Sequence, residues 1–299
     1  SHKEDHSKNI LNNIYDLLGE DKIQSMTSCD IWLLIEAAYC HDIGMCVSFD
    51  ELKSELKKTH FGKYLDKVKA NKYHELNPFV SALTADDISK LLNSPSELIE
   101  LNNLFYQLLA DWFRPFHGYR SETMIKDGKF GACLFYRDQA ISPRLFIHLA
   151  KICSAHTKTF FDGIISDELP QFEKGLSTEK CHPRFIASLL RLGDLLDLDQ
   201  GRFSPTTKEM AGEMPPSSEA HVEKHKSVER FYICPTSVEL TADCPTDESY
   251  VAMADWAKWL EDELYDQYKH WHDIRPNERF SPPPALNPKR IVHIGSDYT

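Results

Sequence analysis

The chain has 299 residues, enough for one large core or two modest ones, and its 41% apolar and 27% charged residues are the balance of a globular protein. A formal net charge of −12 argues against avid binding of duplex nucleic acid, which needs a basic footprint, and no run of about 18 uninterrupted apolar residues offers a membrane span. The polar start has no signal-peptide pattern and the eight cysteines hold no Cys-x-x-Cys pair, so the expectation is a cytoplasmic protein with reduced thiols.

Residues 5–18 predict a helix with Ile10, Leu11, Ile14, Leu17 and Leu18 on one face and Gly19 as its stop. His6 stands in phase with Ile10 and Ile14. Residues 29–43 predict a second helix, with Asp30 as candidate N-cap and Gly44 as stop. Short helices are expected near 48–58 and 84–93. A long helix over 96–117 carries Leu101, Leu104, Leu108 and Phe113 and bends or ends at Pro115. Further helices are expected over 143–157 and 183–198. The character changes after Gly201. Three prolines among small polar residues mark 204–220 as a loop or flap. Alternating β-branched and aromatic residues over 228–243, around Cys234-Pro235-Thr236, predict a β-hairpin. Residues 247–272 return to helix, with Trp256, Trp259, Leu260, Leu264 and Tyr268. Ser281-Pro282-Pro283-Pro284 opens a linker or tail. The expected organisation is a helical domain over 1–203, then flap, hairpin and closing helix over 204–280, then a Pro-rich tail over 281–299.

Two strings carry chemistry. His41-Asp42 ends an apolar helix, and burying a carboxylate beside an imidazole is costly unless each has a partner. A metal ion is one such partner; a solvated helix C-terminus is the alternative. Asp194 follows Ala187 and Leu190 on the inward face of its helix, and needs either a cation or an ion pair to Arg191 or Arg202. His117 closes the string from Arg114, and His156 is in phase with Leu145, Leu149 and Ile152. His148, His182, His221, His225, His270 and His272 read as surface or structural. Arg114, Arg120, Lys158, Arg191 and Arg202 flank these residues as candidate phosphate-binding cations, although each suits a structural ion pair as well. Asp197 and Asp199 read as local caps or pairs.

The segment AAYCHDIGM (37–45) resembles the His-Asp signature of the HD superfamily of metal-dependent phosphohydrolases. SLLRLGDLLDLD (188–199) resembles its closing aspartate helix, and His6 in EDHSKNILNNI fits its first-helix histidine. The resemblance covers roughly residues 4–200. It implies an all-α HD-domain helical bundle, here with a small C-terminal α+β appendage of β-hairpin plus helix. It implies His6, His41, Asp42 and Asp194 as metal ligands, with His117 and His156 completing a second site or assisting proton transfer, and Asp42 touching both ions. The cofactor implied is one or two divalent ions, with Mn, Fe, Ni, Co, Zn and Mg not distinguished. The reaction implied is hydrolysis of a phosphate ester by a metal-activated water, with a nucleotide or nucleotide-derived messenger as the expected small phosphorylated substrate. The same ligand order also serves a single-strand nuclease, a di-iron oxygenase or a catalytically idle nucleotide-sensing module. The layout further resembles HD modules of bacterial proteins that carry a chaperone-type (HSP90-like) ATPase domain, which implies such a C-terminal domain in a longer parent chain.

Overall fold

The computed structural model describes residues 4–84, 97–127, 135–136, 139–198 and 223–293. The expectations for 85–93, Arg202, His221 and the 204–220 loop lie outside them. The chain divides into two compact units. The first comprises Ser1–Gly44, His117–Arg202 and Ala220–Thr299; the second comprises Met45–Phe116 and Phe203–Glu219.

The first unit opens with α1 (Glu4–Leu18), α2 (Glu20–Ser25) and α3 (Ser28–Cys40). The second carries α4 (Phe49–Glu55), α5 (Thr59–Ala70), α6 (Asn77–Thr84) and α7 (Glu97–Phe113). The chain returns to the first unit with α8 (His117–Lys126), α9 (Pro143–Ala155), α10 (Phe160–Gly163), α11 (Pro183–Leu195), α12 (Asp247–Lys269) and α13 (Trp271–Ile274). Two short antiparallel pairs, β1 (Phe135–Tyr136) with β2 (Gln139–Ala140) and β3 (Glu173–Lys174) with β4 (Lys180–Cys181), interrupt the helices. β5 (Val228–Cys234), β6 (Ser237–Cys244) and β7 (Leu286–His293) form a three-stranded sheet. The fold is thus a mostly helical bundle with a small C-terminal sheet and helix. Among the described residues no single helix is long and apolar enough to cross a membrane.

Local chemistry sets the element ends. α1 stops where Gly19 takes φ 78°, a left-handed backbone that suits glycine. α3 is capped by Thr27, whose hydroxyl accepts from the Asp30 N–H at 3.1 Å. Asp30 therefore sits inside the first turn and is not the cap. Its buried carboxylate instead takes the His182 backbone N–H and Nδ1, both at 2.8 Å, fastening α3 to the start of α11. The long helix expected to run to His117 breaks earlier, because Pro115 has no N–H to continue the ladder. α7 ends at Phe113, a 3₁₀ turn spans Arg114–Phe116, and His117 begins α8. α5 escaped the sequence reading: Phe61 and Val68 carry its buried face within a lysine-rich string.

α1, α3, α9 and α11 pack on one another around Ile10, Ile14, Leu33, Ala37, Leu145, Ile152, Phe185 and Leu189, all at most 1% exposed. Each large side chain buried this way contributes about 1.5–3 kcal/mol relative to exposure. Gly193 permits the close crossing of α1 and α11, since a Cβ there would lie 2.8–2.9 Å from Ile14 and Ile10 atoms. The second unit has its own core of Phe61, Val68, Leu76, Phe79, Val80 and Leu108.

The hairpin forms as expected. Cys234 pairs with Ser237 across a two-residue turn, and Val238, Leu240, Ala242 and Cys244 point inward along β6. They pack on Met253, Trp256, Leu260 and Leu264 of α12 and on Leu192 and Leu196 at the end of α11. The segment expected as a Pro-rich tail is in part a strand: Leu286–His293 runs parallel to β6. Leu286 and Ile291 pack against that core, and Pro288 is tolerated because β7 is an edge strand that pairs on one side only.

Glu122 ties α8 to α9. Its carboxylate meets Lys126 at 2.5 Å and Lys151 of α9 at 2.9 Å. Burial opposes its charge, but these ammonium groups and the Ser154 hydroxyl win and hold its pKa at about 2 against an ordinary 4.5. A depressed carboxyl stabilises the fold fully above its unfolded pKa and loses that contribution as pH falls through the folded one. Glu122→Gln is therefore expected to melt at a lower temperature than wild type at pH 7. The gap should close as pH is taken from about 4.5 toward 2, as followed by thermal melts across that range.

Candidate metal centre

Five stretches of the first unit deliver side chains to one point. α1 brings His6, and the end of α3 brings His41 as its C-cap and Asp42 just beyond. The first residue of α8 is His117, the C-cap of α9 is His156, and the last turn of α11 carries Asp194. His6–His41–Asp42, His41–His156–Asp194 and Asp42–His117–His156 each place their ligand atoms within 4.8 Å of one another. All six candidate ligands named from the sequence are thus brought together.

Asp42 occupies the middle. Its Oδ2 lies 3.3 Å from His41 Nε2, while its Oδ1 lies 3.2 Å from His117 Nε2 and 3.5 Å from His156 Nε2. Asp194 Oδ1 is 3.3 Å from His6 Nε2 and 3.8 Å from His41 Nε2. His6 and His41 Nε2 are 3.3 Å apart, and those of His117 and His156 are 2.9 Å apart. The turn that presents Asp42 is braced from α8. Ser121 donates to the His41 carbonyl at 2.6 Å and accepts the Gly44 N–H at 2.8 Å. Gly44 has no room for a side chain, because a Cβ would meet the His117 carbonyl oxygen at 2.0 Å.

The rings are oriented from behind. His6 Nδ1 faces Asp197 Oδ2 at 2.5 Å, His41 Nδ1 faces the Ala38 carbonyl at 3.1 Å, and His156 Nδ1 faces the Cys153 carbonyl. Oxygens of these kinds accept, so each Nδ1 carries a proton and each Nε2 is directed into the centre. Nitrogen lone pairs that converge on carboxylates and on each other need positive charge between them, as protons or as a cation. When protons fill that role, burial opposes the charge of Asp42, but hydrogen bonds from His117, His156 and His41 hold its carboxyl far below the ordinary range. Burial likewise opposes ionisation of Asp194, yet the His6 hydrogen bond and the charges of His41 and His156 keep it at about 2. Burial would lower His41, but Asp42 and Asp194 raise it. Imidazole and carboxylate groups gathered at these spacings could hold a metal ion.

The candidate phosphate-binding cations fall out differently. Arg191 puts Nε and Nη2 on Glu263 at 3.0 and 2.5 Å, and Nη1 on the Ala155 and Lys158 carbonyls. It holds α12 to α11 and takes no part in pairing Asp194. Lys158 Nζ reaches Glu168 at 3.4 Å. Arg120 Nε donates to the Gly44 carbonyl at 2.6 Å, bracing the His-Asp turn. Arg114 belongs to the second unit.

The sequence reading missed two features. Asp197 reads in the sequence as a local cap or pair, but its partners are distant: it holds His6 and accepts from Asn9 at 3.1 Å. Its place three residues after Asp194, just past the end of α11, was the available signal. The second is a cleft of about 190 Å³ beside His156 and Asp194, whose far wall carries Lys224, His225, Trp256 and Trp259.

A helical bundle that gathers a His-Asp doublet, flanking histidines and a late aspartate in this order is an HD-type domain. The family model HD-CE matches residues 1–266, and the chain belongs to the HD-CE family. No curated protein and no solved structure matches it.

Two substitutions test this geometry. Asp197→Ala should retain the fold but weaken metal affinity about 10- to 100-fold, the usual cost of losing the group behind a ligating histidine; competition with a chelator reads this out. Gly44→Ala should cost about 1–3 kcal/mol through overpacking against α8 and should loosen metal binding at the same time. A variant with wild-type melting temperature and wild-type metal affinity would show that the close approach at Gly44 has no role.

Proposed function

We propose that this chain hydrolyses a phosphate ester at a two-ion centre, with His6, His41, Asp194 and one oxygen of Asp42 on one side and His117, His156 and the other oxygen of Asp42 on the second. The observation that carries this reading is that Asp42 Oδ2 faces His41 while its Oδ1 faces His117 and His156. Divalent ions held there supply Lewis acidity toward a phosphoryl oxygen and lower the pKa of water enough to make it a nucleophile near neutral pH. The chain's own part is positional. Asp197 and the Ala38 and Cys153 carbonyls aim three imidazoles, and Arg191 neutralises Glu263 on the cleft wall. His117, at the Oδ1 side of Asp42, holds its ring against His156 and so keeps both nitrogens directed at one place.

The substrate we infer is small: a nucleotide or nucleotide-derived messenger. The centre opens into a cleft of about 190 Å³, and a net charge of −12 repels a long polyanion outside it. Elemental analysis together with a panel of deoxynucleotides, cyclic nucleotides, alarmones and single-stranded DNA tests the reading. Turnover of a small nucleotide, little changed between low and physiological salt, is the expected result. Cleavage of single-stranded DNA without turnover of any mononucleotide or dinucleotide would transfer the assignment to a nuclease.

Asp42→Ala is expected to lose both ions and all turnover while its circular dichroism stays helical. His117→Ala and His156→Ala are each expected to drop bound metal from about two ions to about one. Unchanged stoichiometry in both histidine variants would reduce the centre to a single ion.

A further inference from the structure

We propose that the C-terminal part of the first unit builds the substrate-binding wall of this centre, with Trp259 stacking a planar ring and Lys224 holding an anionic group of the same phosphorylated ligand. The proposal deepens, and rests on, the phosphohydrolase reading of the cleft.

The cleft joins two kinds of surface. His156 and Asp194 of the metal centre form one side, and Lys224, His225, Trp256 and Trp259 form the other, so a molecule filling it touches both. The two tryptophans differ in role. Trp256 is 7% exposed and donates its indole N–H to the Leu195 carbonyl at 3.0 Å, which locks the wall onto the end of α11. Trp259, one helical turn further along α12, is 61% exposed although it lines the same cleft. An exposed indole beside a polar, metal-ligating floor presents a flat apolar face that a ring can cover. Stacking on such a face is tolerant of which ring is present, since every heterocyclic base has a π-face.

Lys224 is buried, with its Nζ 5.9 Å from the centroid of the Trp256 ring. Its position is fixed by its neighbours. The Ser227 N–H donates to the Glu223 carbonyl at 2.8 Å, and the Thr246 hydroxyl that caps α12 donates to the Glu223 carboxylate at 3.3 Å. The short turn bearing Lys224 is therefore fastened to the helix bearing Trp259. Arg191 also lines the cleft, with its nitrogens on Glu263 and on two carbonyls. Lys224 lines the cleft together with His156, Asp194 and Trp259, so an anionic group of a molecule filling it comes within reach of the lysine charge.

The test measures binding to the metal-loaded chain of three probes: AMP, ribose 5-phosphate as its ring-less counterpart, and inorganic phosphate. Calorimetry and tryptophan fluorescence both report. AMP should bind more tightly than ribose 5-phosphate. Trp259→Ala should weaken AMP about 5- to 150-fold, the worth of one stacked ring, with a much smaller effect on ribose 5-phosphate, and Trp259→Phe should restore most of the loss. Lys224→Met should weaken all three probes while the melting temperature stays near that of wild type. The wall is overturned if AMP binds no better than ribose 5-phosphate, or if Trp259→Ala leaves AMP affinity unchanged. If wild type hydrolyses phosphate esters in that event, the phosphohydrolase reading stands alone. If no ester is hydrolysed yet AMP binding depends on Trp259 and Lys224, the wall stands and the hydrolytic reading falls.

Discussion

A carboxylate enclosed by four imidazoles and a second carboxylate is the constraint around which the first unit is organised. Asp42 cannot be left charged and alone in that position; the desolvation cost is several kcal/mol unless positive charge or donors surround it. The helices answer by pointing histidines at it from α1, α3, α8 and α9, each from a helix end or first turn, where the backbone leaves room for a side chain to turn inward. Residues that elsewhere would be ordinary packing groups become supports for this arrangement. Ser121 clamps the turn on both sides, Arg120 holds the Gly44 carbonyl, and the Cys153 carbonyl fixes the His156 ring.

The C-terminal sheet and helix belong to the same body as the bundle. α12 is joined to α11 by Arg191–Glu263, by Ser188 with Gln267 and by Trp256 with the Leu195 carbonyl. The apolar core of the sheet continues into Leu192 and Leu196 of α11, the helix that carries Asp194. Arg191, Leu192, Leu195 and Leu196 all lie within about three residues of Asp194, so the appendage and the centre share one helix. This is why the cleft forms between them, and why its far wall is built from residues with no counterpart in the His-Asp signature.

Much of this was legible in the sequence where chemistry and periodicity coincide. His6, Ile10 and Ile14 share a helix face, and the apolar run before His41 marks a buried helix ending in ionisable groups. These two facts single out the first candidate ligands. The hairpin was equally plain, because alternation and a Pro-containing turn have few other solutions. What was hidden depended on contacts between distant segments. Arg191 beside Asp194 suggests an ion pair, but its real partner, Glu263, is 72 positions away. Asp30 has the composition of a cap, yet Thr27 caps and Asp30 is taken by His182. Composition also misled at the end of the chain: three successive prolines signal a linker, while the strand that follows is held by β6 and by a few apolar side chains.

The carboxylate behind His6 has a further consequence, which concerns how the molecule assembles. His6 and Asp197 are separated by 191 positions, and the other unit is inserted between the chain stretches that supply the remaining ligands. Closing so long a loop is an entropic cost that must be met before the contact returns anything. A metal ion has no equivalent cage in the unfolded chain. The binding free energy of an ion held there would accrue only to the completed structure, and would hold these long-range contacts closed.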